Sequence, residues 1–175
     1  VDITIKGTRP LLQNKLNPKE DLFNKSRKKL TYDESIDPKR VALKLHTNAE
    51  GKIVQPAESI QKTIENASVN FPYKGIKSYR SLVQGGISIL PELIEHKYAD
   101  WEVDESVVTD TTAKFVCRPR FDEWELSFTM HCLQDSIEPS TMKEILEYAG
   151  KFGGLGSRRK AGYGKFVVTN WEVNK

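Results

Sequence analysis

Cysteine and histidine are scarce in this chain. It has two cysteines and three histidines among 175 residues, too few for a disulfide scaffold or a zinc centre. Cys117 and Cys132 both fall in apolar strand patterns, which reads as buried free thiols in a reducing cytoplasm. Long apolar runs are missing as well. A stretch without charge such as Ser81 to Pro91 is far short of a membrane span, and no basic-then-apolar signal segment opens the chain. The first residue is Val rather than Met, which points to loss of an initiator or a short leader. No internal repeat or low-complexity tract is present. What remains is 38% hydrophobic and 29% charged, the composition of one globular domain with a real core.

The net charge of +3 is unevenly spread. Residues 1–52 hold 12 Lys/Arg against 7 Asp/Glu, residues 151–165 hold five bases and no acid, and residues 100–110 hold five acids and no base. Basic ends around an acidic middle let one surface meet a polyanion while the protein stays in solution. The acidic stretch reads as a solvated or partner-facing loop.

Residues 2–6 alternate polar and apolar as a strand does. Residues 13–40 are polar and basic, with the run Ser26, Arg27, Lys28, Lys29. A segment of that length and composition reads as an insertion. A short strand is expected at 41–46. Pro56 marks a helix start, and Ile60, Ile64 and Ala67 recur at helical spacing over 57–68. A short helix over 78–84 and the apolar run Ile87 to Leu90 follow. Residues 112–120 and 124–132 alternate around Pro119 to Glu123 and predict a hairpin. Its inner side would carry Phe115, Cys117, Leu126, Phe128 and Met130. A helix over 140–151 and a strand over 163–173 close the chain.

Without two insertions, 13–52 and 70–110, the order is strand, helix, strand, strand, helix, strand. This predicts an α+β fold of the ferredoxin-like (RRM-like) βαββαβ type over residues 1–175. Its antiparallel sheet would have both helices on one face. The other face would present Lys114, Arg118, Arg120, Ser127, Thr129 and His131. Cations and hydroxyls on an open sheet suit single-stranded nucleic acid.

Residues 152–166 depart furthest from what folding alone requires. Five glycines, including Gly154, Gly156, Gly162 and Gly164, surround Ser157, Arg158, Arg159 and Lys160. Glycine admits positive φ and close approach, and three adjacent cations call for an anion or open water. The stretch has neither the P-loop pattern nor a dinucleotide fingerprint. It also runs from helix to strand rather than strand to helix, so a mononucleotide site is not expected. The expected role is a loop that lays its backbone and charge against a phosphate chain.

The pattern Gly-Leu-Gly-Ser-Arg-Arg-Lys-Ala-Gly-Tyr-Gly, between last helix and last strand, resembles the glycine-rich loop of the RAMP superfamily. Those are the RNA-binding proteins of CRISPR systems, including the Cas5, Cas6 and Cas7 families. The opening Ile-Lys-Gly-Thr-Arg-Pro-Leu-Leu and the stretch Arg118-Pro-Arg-Phe-Asp-Glu-Trp-Glu-Leu are similar to small stand-alone or phage-encoded RAMP-like proteins. The resemblance implies binding of single-stranded RNA, with DNA left open, in the cytoplasm of a prokaryote or a phage-infected host. It also implies Cas7-like head-to-tail assembly along the strand. The basic insertion with Arg27, Lys28 and Lys29 would then act as a thumb.

No cofactor and no metal is expected, since no carboxylate pair or His/Asp cluster has suitable spacing. Catalysis is not expected either. The alternative is a metal-independent, Cas6-like endoribonuclease, for which His46 is the candidate proton-transfer group. His131 would sit on the polar face and His96 at the surface. A further alternative is a mimic of a CRISPR subunit that acts by docking on effector subunits.

Overall fold

A computed structural model describes residues 1–17, 30–75, 78–109, 113–133 and 137–174. In chain order the elements are β1 (Asp2–Gly7), β2 (Leu11–Leu12), α1 (Tyr32–Ile36), α2 (Pro38–Val41), β3 (Val54–Pro56), α3 (Ala57–Ser68), α4 (Arg80–Gly86), β4 (Ile87–Leu90), β5 (Leu93–Glu95), β6 (Glu102–Thr109), β7 (Ala113–Phe121), β8 (Glu125–Cys132), α5 (Pro139–Tyr148) and β9 (Phe166–Glu172). The chain is therefore α+β with antiparallel sheets. Arg27, Lys28 and Lys29 lie outside the described residues.

The main sheet has the order β4-β8-β1-β9, with every neighbouring pair antiparallel. Alternation decides its two faces. Ile3 and Ile5 of β1, Leu126, Phe128 and Met130 of β8, and Ile87 and Ile89 of β4 all point into the core. Across that face lie α3, through Ile60 and Ile64, and α5, through Met142, Ile145 and Leu146. The two helices also touch each other. Each fully buried side chain of this size contributes about 1.5–3 kcal/mol of hydrophobic stabilisation. A bulge between Thr4 and Ile5 shifts the β1–β9 register.

A second sheet runs β2-β7-β6, and β3 pairs with β5. The short link from Gly7 to Leu11 carries the chain from the main sheet to the second one. Trp124, buried to 1% exposure, packs beneath this link and donates its indole N–H to the Arg9 carbonyl at 2.9 Å. A Cβ on Gly7 would meet that ring at 2.2 Å, so glycine is required there for close approach.

Several expectations are corrected. The strands 113–121 and 125–132 do not form a hairpin. Instead, β7 pairs with β6 and β2, while β8 pairs with β1 and β4. Alternation marks a strand but does not name its partner, and here the buried Trp124 redirects the chain between the two. One edge strand of the main sheet is β4, which lies inside the stretch 70–110 that sequence sets aside as an insertion. Residues 102–109 of the acidic stretch form the strand β6 rather than a solvated or partner-facing loop, and Asp104 within it is buried. No strand forms at 41–46. Asp37 accepts a hydrogen bond from Lys39 N and Pro38 occupies the first turn, so α2 starts there and runs into a 3-10 turn at Ala42–Lys44. Phe115, expected in the core, is 40% exposed and stacks on Tyr32 at 5.5 Å between centroids.

The reassignment of β7 is open to direct test. Leu126→Ala is expected to cost about 2–5 kcal/mol, whereas Phe115→Ala should cost under about 1 kcal/mol. Urea unfolding of the two variants checks this. Equal destabilisation would return β7 to the core sheet.

Candidate functional site

α5 does not end in a simple cap. It continues through a wide turn at Ala149–Gly153, where Gly150 lies against β9 so closely that a Cβ would meet the Phe166 carbonyl at 2.3 Å. Lys165 closes this end, its ammonium donating to the carbonyls of Phe152 at 2.5 Å and Gly153 at 3.2 Å. A cation is favoured at the negative pole of a helix.

The glycine-rich loop follows and is laced to the link between the sheets. Ser157 N donates to the Leu12 carbonyl at 2.8 Å, Gly164 N to Pro10 at 2.7 Å, and Leu155 N to Gly164 at 2.9 Å. The glycines make this lacing possible. Gly156 and Gly164 have φ of +71° and +69°, and Cβ atoms there would meet the carbonyl oxygens of Leu12 at 2.3 Å and Leu155 at 1.9 Å. Gly154 is similarly filled, by Tyr163 and Gly164. The expectation that these glycines leave room for a ligand backbone is therefore corrected: at three of the four positions the protein's own backbone occupies that room. Gly162, at φ +91°, alone among the four faces open space.

The three cations of the loop separate. Arg159 and Lys160 stand on a 3-10 turn, exposed and without a hydrogen-bond or ion-pair partner among the described residues. Arg158 adopts left-handed geometry at φ +55° and turns inward. Its Nη1 donates to Ser106 Oγ at 2.7 Å and its guanidinium lies over the Tyr163 ring at 5.4 Å.

Beside the loop lies a cleft of about 370 Å3. Gly156, Ser157 and Arg159 form one wall, Glu58, Ser59 and Lys62 of α3 another, and Gln13 and His46 also line it. Gln13 is buried and fully used: Nε2 donates to the Val54 carbonyl at 2.8 Å, and Oε1 accepts from His46 N at 2.8 Å. The same amide lies 3.3 Å from His96 Nε2. An amide nitrogen only donates, so His96 Nε2 accepts and the ring is neutral with its proton on Nδ1. Burial, with His46 nearby, lowers the His96 pKa to about 4. His46 is half-buried, and burial followed by the charge of Lys15 pulls its pKa below the usual 6.5. Burial thus favours the neutral form of both rings.

The sheet face expected to be cationic is not assembled. His131, Ser127 and Thr129 sit on the outer side of β8, but their neighbours there include Asp2, which accepts from Thr129 at 2.6 Å, and Glu125, which pairs with Lys97 at 2.5 Å. Lys114, Arg118 and Arg120 belong to the other sheet. Lys114 is exposed. Arg120 is engaged by Asp122 at 2.8 Å and Glu102 at 3.6 Å, and Arg118 is buried at 8% exposure. His96, expected at the surface, is buried to the same degree. Gln13, Lys62 and His96 carry no local pattern that marks them; only the fold gathers them around His46.

Among the described residues no group of three or more His, Cys, Asp or Glu could hold a metal ion, and no helix is long and apolar enough to cross a membrane. The two cysteines are free.

No protein-family model and no curated protein matches the chain. Among solved structures, a similar chain occurs in the cryo-EM structure of the Type III-B Cmr-beta bound to cognate target RNA. The two are 13% identical with a TM-score of 0.47, and the match covers 99% of this chain and 61% of that one.

The lacing sets an expectation for stability. Gly162→Ala is expected to cost about 1–2 kcal/mol, from positive φ alone. Gly164→Ala should cost more, because the Leu155 carbonyl must move as well. Thermal denaturation of the pair distinguishes them, and an equal cost would mean that the loop is not held as described.

Proposed function

We propose that this chain binds single-stranded nucleic acid, RNA in preference to DNA, without cleaving it. In this reading the main sheet with α3 and α5 is a ferredoxin-like core of RAMP type. The strand order β4-β8-β1-β9 supports that assignment, as does a glycine-rich loop placed between the last helix and last strand. The preference for RNA rests on the resemblance of that loop.

One observation carries the reading. Arg159 and Lys160 are exposed cations without partners among the described residues, on a loop whose shape is set by backbone bonds, and Arg159 lines the cleft. Surface cations normally cost nothing in water. Holding two of them on a preorganised turn lowers the ordering entropy lost when phosphates bind. Lys62 lines the α3 side of the cleft, 3.8 Å from Glu65. The outer face of β8 plays no part here, since β8 carries no Lys or Arg and Asp2 and Glu125 lie among its residues' neighbours.

Fluorescence anisotropy with single-stranded RNA, single-stranded DNA and duplex at several salt concentrations tests this. Arg159→Ala combined with Lys160→Ala should weaken single-strand binding and flatten the log–log salt slope by about 0.7 for each phosphate no longer neutralised. An unchanged slope would remove the loop from the interface, and absence of binding by the unaltered protein would end the reading.

A second reading is favoured by His46 alone. Its neutral ring in the cleft is placed to accept a proton from a ribose 2′-hydroxyl, with Lys62 and Arg159 nearby to offset charge on the phosphate. On that reading the protein cleaves hairpin RNA in EDTA, His46→Ala abolishes cleavage, and the acid limb of the rate profile falls below pH 6.5. No cleavage in EDTA would dispose of it.

A further inference from the structure

Two arginines are turned into the protein where the second sheet meets the glycine-rich loop. Arg118, on β7, lies directly across from Asp104 on β6. It is 8% exposed, and its Nε and Nη1 hydrogens reach no acceptor among the described residues. Arg158 approaches from the loop, half-buried, through its bond to Ser106.

The local charges do not balance. Asp104 is the carboxylate that faces this pair. It accepts a hydrogen bond from Ser106 and lies 3.9 Å from Arg120. The Arg158 charge also acts unfavourably on Arg118, adding to the burial that already opposes its ionisation. A guanidinium stays protonated in proteins, so its bare N–H groups remain as donors. A buried donor without a partner is destabilising, more so on a charged group, and a methionine would fill a similar volume without that penalty. The backbone of Arg158 is held in left-handed geometry at the same place, at φ +55°. A tetrahedral oxyanion answers both needs at once, since it offers several acceptor oxygens and the missing negative charge.

We propose that Arg118 and Arg158 form a seat for a single phosphate group, separate from the exposed cations Arg159 and Lys160. The assignment of that phosphate to a bound strand rests on the nucleic-acid reading above. The seat itself would equally take a free phosphate or phosphate monoester. A strand engaging it bends one phosphate inward beneath the loop while its neighbours follow the exposed rim.

The test compares thermal denaturation in inorganic phosphate and in chloride at matched ionic strength. Phosphate should raise the Tm of the unaltered protein and leave that of Arg118→Met unmoved. In phosphate-free buffer Arg118→Met should melt no lower than the unaltered protein, because an unpaired buried charge has been removed. On single-stranded RNA, Arg118→Met should flatten the salt slope by about 0.7, while Arg159→Ala with Lys160→Ala keeps the phosphate-dependent Tm. Arg158→Gln, at a half-exposed loop position, carries the same two readouts if Arg118→Met fails to fold. A phosphate effect on Tm without strand binding supports the seat with a free phosphate as occupant and defeats the nucleic-acid reading alone. A Tm indifferent to phosphate, with an unchanged slope in both variants, means that water completes Arg118 and overturns the seat.

Discussion

The backbone seam between residues 7–12 and the loop 154–165 is the constraint on which the rest of this structure depends. The link it uses is the chain's passage from the main sheet to the second one. Hydrogen bonds from Thr8, Ser157 and Gly164 tie the loop along that passage. Such a seam requires two backbones to approach more closely than side chains allow, and Gly156 and Gly164 meet that requirement by having none. Once the seam is closed, the turn bearing Arg159 and Lys160 has one position, the cleft with His46 has its wall, and Arg158 is directed toward Arg118.

Charge in this protein is sorted by tertiary structure rather than by sequence proximity. Arg158, Arg159 and Lys160 are consecutive, yet one faces a buried network and two face water. Lys165, five residues on, closes the end of α5 instead of joining them. Arg118 and Arg120, two residues apart on one strand face, likewise differ: Arg120 is surrounded by Glu102, Asp104 and Asp122, whereas Arg118 has donors to spare. The consequence is a division between an outer, hydrated rim of cations and an inner pair with unmet hydrogen-bonding capacity.

Elements stabilised by their own periodicity were legible. The apolar spacing of Ile60, Ile64 and Ala67 located α3, and alternation located β1 and β8 to within a few residues. The loop was legible as an oddity, because clustered glycines beside cations are unusual in any fold. Its glycines were less so. Their purpose depends on Leu12 and Leu155, and nothing near them in sequence names those partners. His96 was read as a surface residue from its charged neighbours Glu95 and Lys97, although alternation in a short edge segment turns it inward against Phe121.

By itself the sequence determined the class of fold, its longer helices and several of its strands, and the presence of a glycine-rich basic loop, since these follow from local pattern and from the chemistry of glycine. Tertiary structure alone decided which strands pair, which cations remain free, and that Gln13, His46 and Lys62 share a cleft with Arg159. Strand partners and buried charge pairs depend on residues far apart in the chain. Pairing energy is nearly the same for many alternating strands, so the choice among them falls to the packing of side chains such as Trp124 across the whole core.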